Sequence, residues 1–530
     1  MLACRGRNLY TVIKYTTRNA HQLRASVSDK RWPGWGVVVG IEVHAQMKSR
    51  EKLFSNTWTS SLSQEPNTRV SIYDAAFPGT LPTLNTNCVE LGVRTALALD
   101  AKVQHRSTFD RKHYFYPDLP SGYQITQRYA PFATGGTLRL TKAGTEVRIQ
   151  QIQLEQDTGK STTNTSGSET FIDLNRAGAG LMEIVSEPDM RSPEEAAEYV
   201  RTLQSILRSV GSSDGNMEQE SRFYLGSLRC DVNVSVHKLN RPGEFGTRCE
   251  IKNLNSIKGM SVAITSEVFR QIQLLGNGEQ VPQETRGFDE DRAETFSLRS
   301  KEDAPDYRYM PDPNIPPLIL EADYVELIRS RMPDLPAATR LRLQKLGLTE
   351  RDCDVLMTID SGREVGYDGA LGQGAVAYFD TVAHGREPKV VVNWITHELL
   401  GQLAHRQETF TENPMTTAQM GELIDLVQSK RITGTSGKVI LRHILEHRSS
   451  STPEALAQEL SLLIADEGSD AVRSWCMDAI EALPAEAQRV RDGNERVINR
   501  LLGHVMKISR GRANPETTKT MLLGLLRASS

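Results

Sequence analysis

The stretch Leu228-Arg229-Cys230-Asp231-Val232-Asn233-Val234-Ser235-Val236 alternates apolar and polar residues without a break. A period of two puts Leu228, Cys230, Val232, Val234 and Val236 on one face and the polar residues on the other. That describes a strand with one buried and one polar side. Val37-Val38-Val39 leads into Ile41-Glu42-Val43-His44-Ala45-Gln46, which repeats the pattern. From about residue 36 to 300 the chain reads as β-rich with interspersed helices. One helix is well marked between these strands. Ser192 is a good N-cap, Pro193 suits the first helical position, and Glu194 and Glu195 suit the positive end of the dipole. Val200, Leu203, Ile206, Leu207 and Val210 form its apolar stripe, and Gly211 stops it. Residues 304–317 hold Pro305, Pro311, Pro313, Pro316 and Pro317, a density read as a stiff connector closing the first domain. From about 322 onward helical patterns dominate, as in Val497/Leu501/Leu502/Val505.

The chain has 530 residues, 63 basic and 66 acidic, for a formal net charge of -3. Charged residues are 24% and hydrophobic residues 38%, an ordinary globular composition. At roughly 100–200 residues per domain, the length suggests about three domains. No run approaches the roughly 18 apolar residues of a spanning helix, which argues against membrane insertion. The near-neutral total also argues against a nucleic-acid binder working by bulk charge. The distribution is uneven, however. Residues 1–31 carry seven bases against Asp29 alone, a net of +6. Rich in arginine and hydroxyls and poor in acid, the leader has the composition of a mitochondrial transit peptide, with a disordered basic tail as the alternative. Residues 489–530 carry nine bases and three acids, again +6. The six cysteines form no C-x-x-C and read as reduced thiols, most of them in the core.

Several constellations could carry chemistry. Glu42 and His44 are two apart on one strand and share a face, where they could hold a divalent metal, relay a proton, or face water. In Gln151-Ile152-Gln153-Leu154-Glu155-Gln156-Asp157-Thr158-Gly159-Lys160-Ser161 the tail imitates a P-loop. Leu154 stands where the P-loop needs its first glycine, so that reading is rejected. A strand with polar Gln153, Glu155 and Asp157 remains, followed by a Gly-Lys-Ser turn that could meet phosphate or simply be a solvated hairpin. Glu183 lies inside the apolar run Leu181-Met182-Glu183-Ile184-Val185. Burying an unpaired carboxylate costs several kcal/mol, so it needs a metal, an arginine or a proton. The faces Arg229/Asp231/Asn233/Ser235 and Arg248/Glu250/Lys252 suit a polar ligand floor or cross-strand ion pairs equally. Phe109-Asp110-Arg111-Lys112-His113-Tyr114-Phe115-Tyr116-Pro117-Asp118 mixes cations with aromatics, as nucleotide-binding loops do and as ordinary amphipathic loops also do.

Taken in order, these segments resemble the GatB family, the B subunits of the glutamyl-tRNA(Gln) amidotransferases. The matching stretches begin with Val39-Gly40-Ile41-Glu42-Val43-His44 and continue through Phe109-Asp110-Arg111-Lys112 and Tyr114-Phe115-Tyr116-Pro117-Asp118. Asp157, Gly159-Lys160-Ser161, Asp173-Leu174-Asn175-Arg176 and Glu183-Ile184-Val185-Ser186-Glu187-Pro188-Asp189 follow. Ser227-Leu228-Arg229-Cys230-Asp231, Lys252-Asn253-Leu254-Asn255-Ser256, Gln283-Glu284-Thr285-Arg286 and Asp306-Tyr307-Arg308-Tyr309 extend the match, and Ala513-Asn514-Pro515 ends it.

The resemblance implies an α/β (α+β) cradle-shaped catalytic domain over 36–320, an all-α helical domain over 321–410 and a YqeY-like helical tail over 411–530 that binds tRNA. It implies a ligase that uses ATP and Mg²⁺ to phosphorylate the glutamate of misacylated Glu-tRNA(Gln), which ammonia then converts to Gln-tRNA(Gln). Ammonia is expected from a partner amidase subunit, with a small third subunit completing the amidotransferase complex, in the mitochondrial matrix. A non-catalytic tRNA-binding scaffold of the same complex is the alternative. Glu42, His44, Glu155 and Glu183 are the expected catalytic and metal-binding residues. Arg111, Lys112, Lys160 and Arg176 are the cations expected against ATP phosphates. Three departures from the family pattern stand out. Gln156 stands where relatives carry a second acid beside Glu155, Ser121 stands in place of a family lysine, and Gln219–Leu225 separates stretches that run almost directly together in relatives, as a genuine surface loop or as an error in the gene model.

Overall fold

The computed structural model describes residues 28–528 except 60–64, 165, 166, 168, 218–225, 242–244, 301–306, 465–469, 493 and 510. Most of the basic leader, including Cys4, the 219–225 insertion, Pro305 and Asp306 lie outside the described residues. The chain divides into two compact units. One runs to Pro333 and includes Tyr367–Gly369; the other comprises Asp334–Gly366 and Ala370 onward.

The first unit is built on a ten-stranded sheet. At its centre is β1 (Trp35–Gln46). Two short strands of a separate sheet follow in the chain, β2 (Asp110–His113) and β3 (Tyr123–Thr126). The large sheet resumes with β4 (Thr145–Gln156), β5 (Gly180–Ser186), β6 (Leu228–Lys238) and β7 (Cys249–Leu254). Their spatial order is β7-β6-β1-β5-β4, all antiparallel neighbours. Glu284–Asp289 adds in parallel outside β7, and Ala133–Thr134 pairs outside β4.

Alternation sorts the faces as the sequence predicts. Val37, Val39, Ile41, Val43 and Ala45 of β1, Met182 and Ile184 of β5, and Leu228 to Val236 on alternate positions of β6 are buried in one continuous core. Helices α1 (Thr86–Ala98), α2 (Pro193–Ser209) and α3 (Ile257–Gly276) contribute Leu91, Leu203 and Ile264 to that core. The other sheet face carries Glu42, His44, Glu155, Glu183 and Asp231 among a few apolar residues such as Leu181 and Val185. The predicted start of α2 is present: Ser192 accepts a hydrogen bond from the Glu195 amide, and Pro193 opens the helix. Beyond its end, Gly211 takes φ +72°, a conformation L side chains rarely adopt.

The proline-rich segment is more than a connector. Within it β8 (Tyr309–Pro311) pairs antiparallel to β2 and so joins the small sheet β8-β2-β3. Pro311 is tolerated because β8 is an edge strand. This pairing sets Tyr309 opposite Lys112.

The second unit is helical and holds two clusters of buried apolar residues. One spans Leu343 to Leu462 and the other Val472 to Leu526. The Gly511 carbonyl accepts from the Thr433 and Ser436 hydroxyls at 2.8 and 3.3 Å and ties the two together. Among the described residues, no helix is long and apolar enough to cross a membrane. The five described cysteines are buried and unbridged.

Candidate functional site: a carboxylate and imidazole cluster on the polar sheet face

Strand pairing brings the site together. His44 of β1 lies opposite Glu183 of β5 on one side and Arg229 of β6 on the other. Glu183 in turn faces Gln153 of β4, and Glu155 lies one pleat further along, opposite Leu181. Opposed residues in antiparallel strands share a face, so these polar side chains converge. One ligand atom each from His44, Glu155 and Glu183 lies within 4.8 Å of the others. Nitrogen and two carboxylate oxygens at this spacing are a donor set that fits a divalent cation.

The two carboxyls shift in opposite directions. Burial alone would raise Glu155, but Lys112, His44 and the Thr126 hydroxyl outweigh it and hold the carboxyl below its ordinary value. Its oxygens accept from Gln124 Nε2 at 2.6 Å and from Thr126 Oγ1 at 2.9 Å. Glu183 is pushed well above its ordinary value by burial, then by the charges of Glu155 and Glu42. Gln153 Nε2 donates to it. The shared site therefore favours the charged form at Glu155 and the neutral form at Glu183.

Glu42 flanks this trio without entering it, accepting from Asn233 Nδ2 at 3.1 Å. Beside it, Asp231 pairs with Lys252 at 2.8 Å; burial opposes its ionisation, and Lys252 and His44 overcome that.

The four expected phosphate cations separate. Lys112 points at the cluster: burial pulls its ammonium down, but Glu155, Tyr309 and Glu183 raise it overall. Arg111, the preceding residue on β2, bonds Asp312 at 2.6 Å and packs over the Tyr123 ring. Arg176 donates to the Thr158 and Gly159 carbonyls at 3.0 and 2.6 Å. It also pairs with Asp157 at 3.4 Å, opposite Arg229 at 3.2 Å. Lys160 opens a hairpin strand, opposite Asp173. The Gly159 amide donates to the Asp118 carbonyl, so the Gly-Lys-Ser turn is tied to the protein's own backbone.

Sequence reasoning missed Gln124 and Thr126, which fix Glu155. Their only signal was the alternation of Tyr123-Gln124-Ile125-Thr126. Two of the departures meet at one cavity: Ser121 and Gln156 line it together with Tyr73, Asp118 and Asp157. Gln156 Oε1 is buried there without a hydrogen-bond partner.

Comparison with known proteins identifies the lineage. The family described as GatB/GatE catalytic domain matches residues 37–326, and the one described as GatB domain matches 377–526. The chain belongs to the GatB family. Membership is independently clear from relatives that align over nearly their whole length. The mitochondrial glutamyl-tRNA(Gln) amidotransferase B subunit of Laccaria bicolor is 54% identical over 99% of this chain and 98% of its own. The protein of the same name in Cryptococcus neoformans is 45% identical over 95% of this chain and 96% of its own. The aspartyl/glutamyl-tRNA(Asn/Gln) amidotransferase B subunit of Anaplasma marginale is 44% identical over 92% of this chain and 96% of its own. In GatB terms, the carboxylate cluster falls within the catalytic match and the basic C-terminal helices within the second.

Proposed function

We propose that this chain is the GatB subunit of a mitochondrial glutamyl-tRNA(Gln) amidotransferase, a ligase that converts Glu-tRNA(Gln) to Gln-tRNA(Gln) with ATP. The observation that carries the reading is the convergence of His44, Glu155 and Glu183 with Lys112 directed at them. A scaffold that only orients tRNA has no use for inward carboxylates.

The reaction activates an unreactive acid. The side-chain carboxylate of the tRNA-bound glutamate takes the γ-phosphoryl group of ATP, and ADP leaves. Ammonia then displaces phosphate from the acyl phosphate and leaves the amide. Such transfer depends mostly on positioning and charge neutralisation. His44, Glu155 and Glu183, with Glu42 beside them, would hold Mg²⁺, which when bound neutralises phosphate oxygens. Gln124 and Thr126 keep the Glu155 carboxylate oriented and ionised. Lys112 supplies a fixed cation to the transferring group. Arg111 and Arg176, held by Asp312 and Asp157, support the site rather than join Lys112 at the cluster.

Ammonia comes from a partner amidase subunit, and a small third subunit completes the complex. The basic leader, residues 1–31, directs the chain to the mitochondrial matrix. Residues 36–320 form the cradle-shaped catalytic domain, 321–410 a helical domain and 411–530 a YqeY-like tail that meets the tRNA backbone. The reconstituted complex with free ammonium, ATP and Glu-tRNA(Gln) tests the assignment. Glu155→Ala and Glu183→Ala should each abolish amidation, and ATP omission should abolish it in the wild type. Amidation at the wild-type rate by both variants would overturn it.

A further inference from the structure

Two histidines of the second unit stack on each other at the end of a helix. His443 and His447 lie four residues apart on α4 (Gly434–His447), a spacing that puts both on one helix face. Their ring centroids are 4.2 Å apart and the ring planes are inclined by only 27°. His447 Nδ1 lies 3.1 Å from the His443 carbonyl oxygen. A carbonyl only accepts, so this nitrogen carries the hydrogen and donates. In the neutral ring the lone pair is then on Nε2. Metal-bound imidazoles are held in the same way, one ring nitrogen donating to a carbonyl or carboxylate and the other on the ion. The pair is accessible, His447 being exposed and His443 half-buried. The next cation along the chain, Arg448, pairs with Glu408 at 3.3 Å.

We propose that His443 and His447 form a binding site for a divalent transition-metal ion of the zinc and copper class, separate from the carboxylate cluster. Two imidazoles one helical turn apart chelate a single ion from one face. Zinc binds imidazole nitrogen at about 2.0–2.1 Å, so two such bonds in a tetrahedral shell need ring nitrogens roughly 3.3 Å apart. Rings already stacked with centroids 4.2 Å apart reach that by small side-chain rotations. The site also lies at the carbonyl end of the helix, where the dipole favours a cation. Imidazole selects transition ions, whereas Mg²⁺ takes oxygen ligands, so magnesium bound elsewhere does not compete. Water fills the positions the two histidines leave, and the bound ion staples the last turn of α4.

The test is a Cu²⁺ titration of the reconstituted complex in excess Mg²⁺, read by electron paramagnetic resonance. Copper has the highest affinity among first-row divalent ions for such ligands, and its hyperfine splitting counts the nitrogens bound to it. Wild type should show a saturable two-nitrogen signal that Zn²⁺ displaces and excess Mg²⁺ does not. The carboxylate cluster offers a single histidine and therefore a one-nitrogen pattern. His443→Ala and His447→Ala should each lose the two-nitrogen signal. The second substitution is at an exposed ring and keeps the test open if the first does not fold. No two-nitrogen signal in wild type, or an undiminished one in His447→Ala, would overturn the proposal. Displacement of the signal by Mg²⁺ would overturn it as well.

Discussion

Glu155 and Glu183 are diagonal neighbours on β4 and β5, and their carboxyls shift in opposite directions, Glu155 below and Glu183 above the ordinary value. Two carboxylates at this spacing cannot both ionise unless a cation joins them. The asymmetry is set by their partners. Glu155 has Gln124, Thr126 and Lys112, whereas Glu183 has the charges of Glu155 and Glu42 against it.

Gln124 is expected to matter although it touches no substrate. Its amide donates to both Glu155 Oε1 and the Gln156 carbonyl, each at 2.6 Å. Outer partners of metal ligands change affinity or activity by about 10–100-fold. Gln124→Ala should raise the Mg²⁺ concentration for half-maximal amidation about tenfold, read from a magnesium titration of the complex. An unchanged titration would separate Gln124 from the site.

Lys112 and Arg111 are adjacent in sequence and differ in surroundings. Lys112 faces the carboxylates, while Arg111 is held by the fully buried Asp312 carboxylate. Lys112→Ala should lower kcat by about 100-fold, on the scale of removing one preorganised charge-stabilising group. Arg111→Ala should show its larger effect in Tm, because it strands Asp312. Equal losses of kcat with unchanged Tm would contradict this division.

Much of this was legible in the sequence. The alternation of β1 and β6, the capped start of α2 and the isolated acid at Glu183 all come from local patterns, and the structure keeps them. What local patterns do not encode is strand order. Nothing between residues 46 and 180 announces that β1 lies between β5 and β6, which is what sets His44 opposite Glu183. The same limit hid Gln124 and Thr126, which reach Glu155 from a separate small sheet. The place of Tyr309 was likewise hidden, because proline density suggested a connector where an edge strand forms.

Stability should depend on a second buried network remote from the cluster. Glu267 on α3 is fully buried and pairs with Arg270 at 2.7 Å and Arg286 at 3.1 Å. Burial opposes its ionisation, and Arg270 and Gln271 overcome it, so the carboxyl sits below its ordinary value. A depressed value contributes stability that is full above the ordinary glutamate value of about 4.3 and is lost as pH falls through the folded one. Glu267→Gln should therefore show a shallower loss of Tm on acidification below about pH 4.3 than wild type. Glu267→Ala should cost about 1–3 kcal/mol near neutrality, since it removes one of the two carboxylates, Glu284 being the other, that pair with Arg270 and Arg286. Identical acid profiles of wild type and Glu267→Gln would contradict the assignment.

The tail should act through charge alone. Arg496, Arg500, Lys507 and Lys519 are exposed on the C-terminal helices. Neutralising one of them should weaken tRNA binding regardless of sequence and reduce the salt slope of log K by about one per lost phosphate contact. Titrations at several salt concentrations measure this, and an unchanged slope after all four substitutions would remove the tail from the tRNA interface.

The most direct test follows oxygen from the substrate acid. Glu-tRNA(Gln) labelled with ¹⁸O in the glutamate side-chain carboxylate is given to the reconstituted complex with ATP and ammonium. If the cluster of His44, Glu155 and Glu183 runs the phosphoryl transfer, wild type places one labelled oxygen in inorganic phosphate for each amide formed. Glu155→Ala and Glu183→Ala then bind the tRNA but release no labelled phosphate. Labelled phosphate from both variants at the wild-type rate would contradict the central claim.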